Sequence, residues 1–278
     1  MSVGILLAVL GAALLHATWN AMIKLETSKV GAMVILSVAE IPIGLAIALS
    51  RPMPAPEVWP WVLAAGCTHF CYKFFLTYAY ERGDLSRVYP IARGAAPMFV
   101  ALVGAAFLAD RVSGAQYAGI AVLGCGILLM ARGVFTQGEE RRLLPFALGS
   151  AAATSTYTLI DGLGARVSGD AVAYVAWVFV VDGLLFSLGM LGLRGRSVLA
   201  GGARAWMMGG LACLASYGAY AISIWAMTVA PIAVVAALRE TSILFAVLIG
   251  WLIFGERMTR DKALAAGLIV LGVVLTRL

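Results

Sequence analysis

The second half of this chain repeats the first. The segment from Tyr89 to Arg132 lines up with Ala236 to Leu278: Arg93 falls on Arg239 and Asp110–Arg111 on Glu256–Arg257 at one constant offset, and after a small insertion Gly119 and Gly124 fall on Gly267 and Gly272. An opening copy, Gly11 to Asn20 (GAALLHATWN), overlays Gly149 to Thr158 without a gap, so that Thr18 meets Thr156 and Trp19 meets Tyr157. Two copies of one unit therefore make up the chain, read as 1–132 and 143–278 with a polar connector at 133–142.

With 62% apolar and 12% charged residues, a soluble unit of this length would lack polar surface, so the repeat belongs in a bilayer. A spanning helix needs about 20 mostly apolar residues. Ten such segments can be drawn, at 3–23, 30–50, 58–80, 86–108, 114–131, 143–165, 171–193, 205–228, 232–254 and 263–277. The first of them has no Lys or Arg before it and runs on through Trp19, Asn20 and Lys24 without a cleavage pattern, so it reads as a span and not as a signal peptide.

Five crossings return a chain to the opposite side, so the second copy must enter the membrane upside down relative to the first. The expected fold is an all-α integral membrane protein of ten helices in two inverted five-helix repeats, with a site near the midplane where the copies meet. The net charge of +6 does not point to nucleic acid, because the basic residues are dispersed among the connectors. Thirteen of them follow odd-numbered spans and four follow even-numbered spans, which by the positive-inside rule puts both termini outside. Cys67, Cys71, Cys125 and Cys213 all fall in apolar segments, with His69 on the far face from Cys67 and Cys71, so neither a metal nor any other cofactor is expected. Motifs for a zinc hydrolase, a serine nucleophile or a phosphate loop are absent, so no enzyme is expected.

The opening HATWN with Lys24 after it, the YPIAR run around Arg93, and LRETSILFAVLIGWLIFGER closing on Glu256–Arg257 resemble the EamA-type members of the drug/metabolite transporter superfamily, over essentially the whole chain. The resemblance implies a multi-pass inner-membrane carrier with a central cavity, moving small polar metabolites such as amino acids, nucleobases or nucleosides, often outward. A small-molecule substrate, the lipid bilayer and a coupling proton or cation are the partners expected of such a carrier. The alternative from another class is an accessory membrane subunit or a component of a lipid-linked sugar flippase.

Nine ionisable residues lie within the spans or close to their ends: His16, Glu40, His69, Lys73, Arg93, Asp161, Asp182, Arg239 and Glu240. Each is a functional candidate because charge at membrane depth needs a partner or water. Glu40 in span 2 and Asp182 in span 7 are repeat equivalents, as are Arg93 and Arg239 in spans 4 and 9. Two readings fit this set: ion pairs that lock each copy together, or groups that line the cavity and meet substrate. An arginine can hold a carboxylate through two parallel hydrogen bonds, and an acid can answer an ammonium, so mixed signs favour a zwitterion or a polar neutral molecule.

Pro97 removes a backbone donor beside Arg93 and predicts a kink in span 4, whereas the matching stretch of span 9, 240–243, has no proline. Arg93 is accordingly the expected substrate contact, with Arg239 and Glu240 a structural or gating pair. Spans 1 and 3 each set two polar residues four apart, His16 with Asn20 and His69 with Lys73, flanked by Trp19 and Tyr72. Tyr157, Tyr217 and Tyr220 are further candidates for the cavity wall. The walls are expected from spans 1, 3, 4, 6, 8 and 9, with the glycine-rich spans 5 and 10 packed on each other outside and offering a homodimer face.

Overall fold

With no water in the hydrocarbon layer to satisfy peptide groups, the backbone must satisfy itself, and this chain does so with helices. A computed structural model describes residues 1–26, 28–80, 96–136, 141–253, 255 and 258–277. Its helices are α1 (Val3–Leu25), α2 (Lys29–Ala48), α3 (Trp59–Tyr80), α4 (Ala96–Phe107), α5 (Gly114–Thr136), α6 (Leu144–Ser168), α7 (Ala171–Arg194), α8 (Ala203–Val229), α9 (Ile232–Arg239), α10 (Ser242–Leu252) and α11 (Arg260–Leu275). Among the described residues these make ten spans, the ninth broken into α9 and α10. Large aliphatic side chains such as Leu7, Leu102, Leu188 and Val274 are exposed on the outside. Acids, hydroxyls and a lysine are buried within. This inversion of the soluble pattern is what a lipid solvent selects.

The packing carries the symmetry of the repeat. α2 packs on α7, α4 on α9, α5 on α11, α1 on α8 and α3 on α6. Exchanging the halves turns the α1–α8 contact into the α6–α3 contact and leaves the other three pairs unchanged. Equivalent helices also run in opposite directions. On α2, Ser37 lies against Gly183 and Gly44 lies against Ala176 and Val180, so rising numbers on one helix meet falling numbers on the other. The same holds for α5 and α11, where Gly119 meets Gly272 and Gly126 meets Ala265. The second unit is therefore inverted. Arg277 donates to the carbonyl oxygen of Met1 at 3.2 Å, which puts both termini on one face.

Glycine decides how close α5 and α11 can come. A methyl group added at Gly119 would lie 2.8 Å from the carbonyl oxygen of Gly272, and one added at Gly272 would lie 2.7 Å from that of Gly119. Helix backbones are in direct contact there, which supplies dispersion contacts where lipid removes the hydrophobic drive. Gly119 and Gly272 thus meet each other within the chain.

The break in the ninth span falls at Glu240–Thr241 and involves no proline. Thr241 N–H donates to the carbonyl of Leu238 at 3.1 Å and Ile243 N–H to that of Glu240 at 3.0 Å, a tight turn in place of the regular ladder. The Thr241 hydroxyl donates to the same Leu238 carbonyl at 2.7 Å, so a side chain holds the turn. The kink expected in span 4 falls on Arg93 and Gly94, which lie outside the described residues.

Replacing Gly119 or Gly272 with Ala should force the α5–α11 seam apart and cost about 1–3 kcal/mol. Gly267→Ala, where an added methyl meets nothing within 4 Å, should leave stability unchanged or raise it slightly. Melting curves of the three variants in detergent check this; equal losses at all three positions would remove the seam as the cause.

Candidate functional site

α2 and α7 cross at the centre of the molecule, and the crossing brings their equivalent acids, Glu40 and Asp182, to the same place. A methyl group added at Gly183, the residue after Asp182, would lie 2.6 Å from the carbonyl oxygen of Ser37, so the two backbones touch beside the acids. Lys73 of α3 answers both. Its ammonium pairs with Glu40, lies 2.6 Å from Asp182 Oδ2 and donates to Ser37 Oγ at 3.0 Å, with all three charged groups buried. The first of the two readings, a pairing of each acid with the arginine of its own copy, gives way for Asp182 to a lysine shared between the copies. Lys73 also sits 5.7 Å from the centroid of the Phe186 ring. The other oxygen of Asp182, Oδ1, is buried and has no hydrogen-bond partner among the described residues.

A second buried acid lies next to this cluster. Asp161 of α6 is fully buried and takes a proton donor from each of three other helices. His69 Nε2 of α3 is 2.9 Å from its Oδ2, the Tyr220 hydroxyl of α8 donates to the same oxygen, and the Tyr174 hydroxyl of α7 donates to Oδ1 at 3.0 Å. An ionised carboxylate only accepts, so opposite one it is the His69 tautomer protonated on Nε2 that fits. The imidazole stacks on Tyr157 with centroids 4.1 Å apart, and Tyr157 in turn meets Tyr72 edge-on at 5.4 Å. Asp161 was one of the nine interior charges, but it has no charged repeat equivalent, and a search guided by symmetry passes it over.

These groups surround a central cavity of about 40 Å³, room for about three waters. His16, Trp19, Glu40, His69, Tyr72, Lys73, Tyr157, Asp182, Tyr220 and Arg239 line it, joined by Met33, Leu36, Phe179 and Ser216. The wall therefore includes α2 and α7 as well as α1, α3, α6, α8 and α9, while among the described residues α4, α5 and α11 contribute nothing to it. Arg239, the last residue of α9 before the break, places its guanidinium 5.1 Å from the Tyr220 ring centroid. It makes no ion pair or hydrogen bond with another described residue, although it is buried. Trp19 Nε1 donates to His16 Nδ1 at 3.2 Å, which fixes both rings on the α1 wall.

Three expected contacts lie elsewhere. Tyr217 turns its hydroxyl to the carbonyl of Val172 at 3.0 Å, because its position on α8 faces the start of α7. Asn20 donates to its own helix, to the His16 carbonyl at 2.8 Å. Glu240 belongs to the turn that breaks the ninth span and does not line the cavity. Arg93 lies outside the described residues. Of the unforeseen wall residues, Met33, Leu36 and Phe179 are apolar and Ser216 is a small neutral hydroxyl, so nothing in the sequence marked them off from packing residues.

Removing the shared cation leaves two acids face to face in a buried site. Lys73→Met should destabilise the protein by about 3–5 kcal/mol. The triple variant Lys73→Met, Glu40→Gln, Asp182→Asn should recover most of that loss, as read from the melting temperature in detergent. A triple variant no more stable than the single one would show that Lys73 matters through packing and not through charge.

The sequence profile of the EamA-like transporter family matches this chain at residues 2–132 and 142–278. No curated protein matches it. One solved crystal structure of a protein, 19% identical, covers 99% of this chain and 98% of its own length with a TM-score of 0.77, a likeness of fold. The profile matches both copies and nearly every residue, and the chain belongs to the EamA-like transporter family.

Proposed function

We propose that this protein is a secondary-active exporter of a small zwitterionic metabolite, of which an amino acid is the simplest case, working by alternating access at the central cavity. The family supports a membrane transporter, and one observation carries the substrate class. The same cavity is lined by a guanidinium without a hydrogen bond to another described residue, Arg239, and by two acids, Glu40 and Asp182, that share a single lysine. The first suits a carboxylate held by two parallel bonds, the second an ammonium. Trp19, Tyr72, Tyr157, Phe179 and Tyr220 supply apolar wall between them.

Charge balance supplies the coupling. Two acids share one lysine, so the cluster has room for one further positive charge, which a proton, a cation or the ammonium of a substrate can supply. Competition of an ion and a substrate for that one place links the movement of each to the other. The repeats rock about the pseudo-twofold axis, so the cavity opens to one face at a time. We place the chain in a cell's inner membrane with its termini extracytoplasmic, as the connector charges favour.

A thermal-shift screen of the purified protein with amino acids, nucleobases, nucleosides and sugar phosphates tests this reading. A zwitterion at about 100 times its Kd should add about 2.7 kcal/mol of stability. Asp182→Asn and Arg239→Gln should each abolish that shift, and counterflow in proteoliposomes should show the same compound crossing the membrane. Stabilisation by lipid-linked sugars alone would favour the flippase component instead.

A further inference from the structure

On the face that carries both termini, every ion pair among the described residues joins one repeat to the other. Asp110, just past α4 in the first repeat, receives Arg166 from the last turn of α6 in the second, through two parallel bonds of 2.8 and 3.1 Å. Its Oδ2 also accepts the first backbone N–H of α9, that of Ile232, at 2.8 Å. Arg166 reaches further, donating from Nε to the Met227 carbonyl at 2.9 Å and from a terminal nitrogen to that of Ala230 at 3.2 Å, at the end of α8. One acid and one arginine thus tie together the ends of α4, α6 and α8 and the start of α9. A short connector fixes the arrangement: α6 ends at Gly169, with φ of 69°, and Asp170 follows at once as the N-cap of α7. Asp170 pairs in turn with Arg51, past the end of α2, at 3.3 Å.

We propose that Asp110 and Arg166 form the gate on this face, a clasp that must break whenever the cavity opens to the side of the termini. The proposal rests on the alternating-access reading given above. Rocking one repeat against the other separates Asp110 from Arg166 and from Ile232, since all its partners belong to the second repeat. The α5–α11 seam leaves no such freedom, because its backbones touch. Partial exposure makes the clasp a switch and not a fixed brace. The side chains of Arg166 and Asp110 are 30% and 15% exposed, so water can take up their bonds when they part. The Arg51–Asp170 pair is a single contact, 45% and 33% exposed, and contributes less.

Site-directed labelling tests the gate without a substrate. In a chain whose Cys67, Cys71, Cys125 and Cys213 are replaced with Ala, Ser216→Cys places one thiol in the cavity wall. The full-length protein is reconstituted into vesicles and treated with a membrane-impermeant maleimide from each face in turn. Asp110→Asn should speed labelling from the face of the termini by about tenfold or more, and leave labelling from the other face unchanged or slower. Arg166→Lys keeps the charge but loses the paired geometry and should show the same direction. Arg51→Gln should change the rate by less than about threefold. Unchanged labelling in folded Asp110→Asn and Arg166→Lys proteins, equal acceleration from both faces, or failure of both variants to fold would each make the clasp a structural brace and overturn the proposal. If labelling responds as stated while no polar metabolite stabilises the protein, the gate stands and the substrate reading falls.

Discussion

A lysine at membrane depth needs counter-charge, and Lys73 takes it from both repeats at once. That requirement organises the centre of the molecule. Glu40 and Asp182 can meet one ammonium only if α2 and α7 cross closely, and they cross closely because Gly183 lets the backbones touch at Ser37. α3 must then lie against both α2 and α7 to deliver Lys73, which brings His69, one turn earlier, to Asp161 on α6. The cavity is what these constraints leave open.

The symmetric fold builds an asymmetric site. Glu40 and Asp182 are equivalents, but one lysine of the first copy, Lys73, answers both, and α8, the equivalent of α3, carries no lysine. Arg239 ends α9 at a break held by the Thr241 hydroxyl, so its guanidinium stands at the end of a short helix inside the membrane. Irregular backbone at that depth is tolerated where it lines a cavity. A duplicated scaffold can thus keep its packing, as in the reciprocal contacts of Gly119 and Gly272, while its two copies diverge where the cavity lies.

The parts of this structure legible in the sequence are those written into repetition and polarity. Matching arginines, acids and glycines at constant offsets disclose the inverted repeat, and charge inside apolar segments discloses Glu40, His69, Lys73, Asp182 and Arg239. Partnership is harder to read. Lys73 meets acids 33 and 109 residues away because of how three helices rotate about their axes, which no single helix records. Tyr217 and Tyr220 look alike on α8, yet a turn of three residues sends one hydroxyl to Val172 and the other to Asp161. The break at Thr241 was hidden because proline was the expected mark of a kink, and a hydroxyl bonding back to Leu238 does the same work.

The two faces of the molecule carry different kinds of contact between helices, and on the proposed mechanism the difference bears on how the cavity opens. On the face of the termini, parting the repeats exchanges ion-pair and backbone bonds for bonds to water, a nearly balanced trade for groups already partly wet. Toward the opposite face, Trp19, Ile23, Ala32, Leu36, Ala212 and Cys213 form a separate buried cluster between α1, α2 and α8. Opening there exposes apolar surface to water at about 25 cal/mol per Å². That cost falls when an apolar part of the substrate covers the surface as it is uncovered, whereas the clasp needs only water to open. On the alternating-access mechanism proposed above, one face is gated by solvent and the other by what the cavity holds.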